Sequence, residues 1–165
     1  VIPSEQQGGY HANINGRTLE NTVKGVLDSK GFRCLSLEEK KLLVRSDGNV
    51  PGFKDRWYCP QVRLERNLYG SKYTSDFLVY DSVKFPRMLH IEVKWQGSSG
   101  SVDEKYVFTA LSLLEFRGDT LLILGGGGAR QGAVQWLSAL SSKNRKNFKF
   151  IGGIDTFIQW ANYEL

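Results

Sequence analysis

Cysteine and histidine are both scarce: the 165-residue chain has two of each, with one methionine and four prolines. Cys34 and Cys59 stand in unrelated contexts, without CxxC spacing or a neighbouring histidine pair. That argues against a structural zinc site and leaves two free thiols as the expectation. With only His11 and His90 available, a histidine-based zinc or nucleophilic centre is equally unsupported. No apolar run approaches the roughly 20 residues of a membrane span. Val1–Gly9 has neither the basic nor the apolar region of a secretory signal, so a cytoplasmic chain that does not engage a membrane is expected.

What is present is enough for a core. Hydrophobic residues make up 41% of the chain, aromatics 12% and charged residues 24%, which suits a single globular domain. Residues 1–15, rich in Gly, Gln and Asn, lack periodicity and read as a flexible N-terminal arm, leaving 16–165 as the domain. The net charge of +5 favours a polyanionic partner.

Apolar residues at Leu19, Val23, Val26 and Leu27 follow helical spacing from Arg17 to Lys30, with Gly31 placed to end the helix. A short strand near Phe32–Leu37, a weak helix over Leu37–Val44 and a strand over Trp57–Arg66 follow, with Pro60 marking an edge or a bulge. Asn67–Lys72 reads as a turn. Beyond Lys105 the pattern is helix, buried strand (Thr120–Leu124), helix, strand (Phe148–Ile151) and a last helix over Ile154–Tyr163. The order predicts an α/β fold, a central mixed sheet flanked by helices.

The most informative stretch is Thr74–Lys105, which reads as two strands and the start of a helix. In the second strand Ile91, Val93 and Trp95 point to one face, and His90, Glu92, Lys94 and Gln96 to the other. A solvated face would account for the second set. Asp76 argues for more, because aspartate is disfavoured inside a strand and pairing could bring it beside Glu92. Two adjacent carboxylates repel unless a cation lies between them, and a divalent metal is the simplest one.

Asp76 followed by Glu92-Val93-Lys94 resembles the D…(D/E)-x-K signature of the PD-(D/E)XK nuclease superfamily, with Ser75 standing where the family name has proline. Gln96 two residues on, a Gly/Ser turn and a helix opening at Ser101–Lys105 extend the likeness. The resemblance implies a restriction-endonuclease-like or junction-resolvase-like domain in an intracellular protein of bacterial or phage type. It implies a metal-dependent endonuclease that hydrolyses DNA and leaves 5′-phosphate and 3′-hydroxyl ends. Asp76, Glu92 and the Val93 carbonyl would hold Mg²⁺ (or Mn²⁺), Lys94 would act on the attacking water or the transition state, and Gln96 would position water or phosphate. The run Gly16-Arg17-Thr18-Leu19-Glu20 is similar to the family's N-terminal helix, which brings a glutamate to the metals; the plain alternative for Glu20 is an acid near a helix N-terminus. A member that cuts both strands of a duplex would work as a homodimer. The alternative is a catalytically inactive nucleic-acid-binding module of the same fold.

Other signals are weaker. The Gly125–Gly128 loop lacks the lysine and hydroxyl of a P-loop, so it is read as a loop that touches a nucleic-acid backbone together with Arg130. Ser101 and Glu104 have the spacing of a helix capping box, with Ser101 and Lys105 also candidates for phosphate contact.

Overall fold

The computed structural model describes residues 4–49, 52–53, 56–98 and 103–165, with side chains from Asn15 onward. Ser101 lies outside the described residues. The chain runs α1 (Ser4–Ser29), β1 (Arg33–Cys34), α2 (Leu37–Arg45), β2 (Arg56–Val62), β3 (Ser75–Asp81), β4 (Phe85–Trp95), α3 (Asp103–Leu114), β5 (Asp119–Gly125), α4 (Gln131–Lys143), β6 (Phe148–Gly152) and α5 (Ile154–Glu164). The six strands form one sheet in the order β1-β2-β3-β4-β5-β6. β3 pairs antiparallel with both β2 and β4; β1 pairs parallel with β2, and β4, β5 and β6 are parallel. This is the expected mixed α/β architecture.

Each face of the sheet has its own cover. Leu19, Val23 and Leu27, one helical turn apart on α1, are buried with Phe77, Ile91, Val93, Leu121, Ile123 and the α5 residues Phe157 and Ala161. On the other face, Tyr106, Ala110 and Leu113 of α3 and Leu137 of α4 pack on Leu122 and Leu124, while Leu43 of α2 joins Trp57, Cys59 and Leu78. β5 is therefore buried on both sides, as its continuous apolar run predicts.

Local chemistry sets the boundaries. Gly31, at φ 81°, ends α1, and Phe32 N–H donates to Leu27 O at 3.1 Å in the wrap that closes a helix on a left-handed residue. Ser36 and Glu39 form a reciprocal capping box at the start of α2. Helix α1 begins at Ser4, so the segment expected as an arm is helical backbone from that residue onward. Cys34 is exposed and Cys59 buried, both free thiols, as expected. Among the described residues no helix is long and apolar enough to cross a membrane.

Candidate active site

Strand pairing brings the two acids together. Phe77 pairs with Ile91 across β3 and β4; Asp76 stands one residue before Phe77 and Glu92 one after Ile91, so antiparallel register sets them side by side. Just past this pair a side chain takes over the role of a backbone acceptor: Val93 N–H donates to Asp76 Oδ2 at 2.8 Å. The other carboxylate oxygen, Oδ1, accepts from the Gln61 amide at 3.1 Å.

The face carrying His90, Glu92, Lys94 and Gln96 is not a solvated one. His90, Glu92 and Gln96 are all buried, Glu92 only 3% exposed, and Lys94 is half-buried. Lys94 Nζ donates to Glu92 Oε1, whereas Oε2 is buried without a hydrogen-bond partner. Burial raises the Glu92 carboxyl above its usual range; the Lys94 charge opposes the rise and the Asp76 charge adds to it. Burial pulls the Lys94 ammonium down, but Glu92 and Asp76 together outweigh it and hold Lys94 above its ordinary value. Lys94 is thus a cation held against Glu92, with the charge of Asp76 favouring it as well.

Glu20, on α1, is half-buried, and its carboxyl is raised by burial and by the charge of Asp76, against Lys94 and Arg17. It lies within electrostatic reach of the pair. Among the described residues, however, no three Asp, Glu, His or Cys side chains converge into a ligand group. Tyr73, just before β3, also faces Glu92: burial and then the Glu92 charge push its phenol far up.

Gln96 has both ends of its amide engaged within the protein, accepting from Tyr106 Oη and donating to Ser98 O at 3.1 Å. The glycine loop is pinned at the same place. Gly128 N–H donates to Gln96 O at 2.8 Å, and a Cβ on Gly126 would fall 2.2 Å from that oxygen. Close approach to the end of β4 explains these glycines. Arg130 pairs with Asp103 at 3.2 Å and stays largely exposed, as does Lys105. Arg145, Lys146 and Lys149 are exposed and border a hollow with Asp119 and Glu164, at the end of β5 away from Glu92.

Ser75 is buried, and its hydroxyl shares a 2.9 Å hydrogen bond with His90 Nδ1. A proline at this position could not supply that partner. A sequence model of the PD-(D/E)XK nuclease superfamily domain matches residues 11–165. The chain belongs to the PD-(D/E)XK nuclease superfamily. No curated protein and no solved structure matches it. Members of the superfamily are generally phosphodiester-cleaving nucleases that use divalent metal ions, which makes a nucleic acid the implied substrate class.

The residues present suit such an ion. The donors are hard carboxylate and carbonyl oxygens, and Glu92 Oε2 is a buried acceptor without a hydrogen-bond partner. Mg²⁺ is commonly held by one or two carboxylates with water and substrate phosphate completing its shell, so a converging third carboxylate is not required.

Proposed function

We propose that this superfamily member is a metal-dependent endonuclease acting on DNA. The observation that carries the proposal is the buried Glu92 carboxylate, which grips Lys94 with one oxygen, keeps the other free and lies beside Asp76. Asp76, Glu92 and the Val93 carbonyl would hold Mg²⁺ or Mn²⁺, with Glu20 adding negative charge nearby. When bound, the ion acidifies a water and neutralises charge on the phosphate oxygens. Lys94, kept protonated by its acidic neighbours, orients the attacking water or donates to a phosphate oxygen as charge builds there. Val93 N–H and Gln61 hold Asp76 in place. Gln96 and Tyr106 fix the end of β4, which sets where Lys94 projects. The net charge of +5 assists binding of a polyanion.

The test is incubation of supercoiled plasmid with the full chain in Mg²⁺, Mn²⁺, Ca²⁺ and EDTA. Nicked or linear product with 5′-phosphate ends is expected in Mg²⁺ or Mn²⁺ and none in EDTA. In Ca²⁺ the protein should bind duplex without cutting it, with an affinity that falls steeply as salt rises. Salt-sensitive binding with no cleavage of any DNA form would identify an inactive binding module, and cleavage confined to RNA would move the substrate.

A further inference from the structure

Gln61 is a residue that neither strand alternation nor the superfamily signature singles out. Its backbone has φ 51°, in the left-handed region that a residue with a Cβ occupies only at a cost. The register does not require this kink. Pro60 pairs with Phe77 and Val62 with Ser75, the same offset on both sides, so no extra residue is being accommodated. What the kink does is re-aim side chains. Val62 packs with Trp57 and Cys59, where strict alternation from Trp57 would put it on the opposite face. Gln61 is exposed, at the rim of the sheet, with its amide directed to Asp76 Oδ1.

The strained residue is held from its N-terminal side. Lys40 of α2 donates to Pro60 O at 2.8 Å, fixing the peptide that leads into Gln61. Pro60 is tolerated because β1 pairs with β2 only at Trp57 and Tyr58, leaving this part of β2 unpaired on that side. By register Gln61 stands opposite Asp76, so strand pairing brings its amide to the carboxylate, and strain that the ladder does not need, at a residue whose preceding peptide is held by Lys40, is characteristic of a functional position.

We propose that Gln61 is a positioning residue for the metal site: its amide locks the Asp76 carboxylate in the orientation that receives the ion. Asp76 Oδ2 is anchored by a main-chain N–H that cannot rotate away, so Gln61 sets the remaining freedom of the group. Each Asp76 oxygen keeps a further lone pair for an ion. The inference rests on the metal-site reading above. Outer partners of metal ligands are commonly worth about 10- to 100-fold in metal affinity.

The test is calorimetric titration of the 165-residue chain with Mg²⁺ and with Ca²⁺, comparing wild type with Gln61→Gly, Gln61→Ala, Gln61→Asn and Asp76→Asn, alongside Tm without metal. Gln61→Gly removes the amide and the backbone strain together. Its metal-free Tm should hold or rise while metal affinity drops about 10-fold or more. Gln61→Asn should recover part of the affinity that Gln61→Ala loses. If Asp76→Asn loses metal binding but Gln61→Gly stays within two-fold of wild type, Gln61 has a structural role only and this inference falls while the metal site stands. If Asp76→Asn binds metal as wild type does, the metal site and the role of Gln61 fall together.

Discussion

Lys94 Nζ donates to one oxygen of the Glu92 carboxylate, and the other oxygen of that carboxylate is buried without a partner. The acid is thus half neutralised by its own strand and half available. On the proposed function this lysine is the cation offered to a phosphate, which leads to the first expectation. Lys94→Met should lower DNA cleavage by about 10²–10³-fold, as loss of one transition-state donor commonly does. Duplex binding in Ca²⁺, followed by fluorescence anisotropy, should remain within a few-fold. Turnover close to wild type would remove Lys94 from the mechanism.

Glu92→Gln separates metal binding from folding. The substitution removes a buried charge and its repulsion with Asp76, so Tm without metal should hold or rise. Wild type should gain thermal stability in Mg²⁺ through linkage, and the variant should lose that gain. A wild-type Tm indifferent to Mg²⁺ and Mn²⁺ would argue against the site.

Glu20→Gln tests the helix-borne acid. If Glu20 serves the metal centre, the variant should need more Mg²⁺ for half-maximal cleavage, while its metal-free stability holds or rises because a carboxylate raised by burial and by Asp76 has been neutralised. Unchanged metal dependence in the cleavage assay would leave Glu20 as a plain helix residue.

His90 predicts a pH dependence of stability. Burial pulls its imidazole down to about 4, from 6.5 when exposed, with the Arg117 charge acting in the same direction. Glu65, 3.8 Å from Nε2, is too distant to reverse this and is itself paired with Arg117. Below pH 6.5 the unfolded chain takes up a proton that the folded protein refuses until about pH 4, so stability is full above 6.5 and lost as pH falls through that window. The His90 contribution should approach about 1.4 kcal/mol per pH unit. Glu92, raised to about 7, contributes with the opposite sign over much of the same range, so the His90 effect is read as the difference between wild type and His90→Gln in urea unfolding at several pH values between 6.5 and 5.

Two glycines should respond with opposite signs. Gly126→Ala forces a Cβ to 2.2 Å from Gln96 O at φ 96°, and should cost about 2–4 kcal/mol. Gly132, inside α4, has open space where a methyl would go, with nothing within 4 Å, and should gain about 0.5–1 kcal/mol as alanine. Chemical denaturation of both variants checks the pair.

Alternation along His90–Gln96 reveals which side chains share a face, because a period of two belongs to the strand backbone itself. It does not reveal whether that face meets water or protein. Tyr73, which faces Glu92, comes from the segment before β3, and no local pattern along β4 encodes its arrival. Gln61 escaped for a different reason: Pro60 was visible as an irregularity, but the left-handed turn after it is a backbone state that composition does not record. The early start of α1 was hidden by Gly8, Gly9, Asn13 and Asn15, weak helix formers whose preference is overruled in the folded chain.

Because the sheet follows chain order, both paired acids belong to a single hairpin, β3 and β4. Their meeting depends on one reversal of the chain and on no long-range threading. Any rearrangement that leaves this hairpin whole, such as opening a new terminus in the turn between α4 and β6, keeps Asp76 and Glu92 neighbours. The pair of acids can therefore be inherited as one segment, while what α1, α2 and β2 add around it, Glu20, Lys40 and Gln61, has to arrive from elsewhere in the chain.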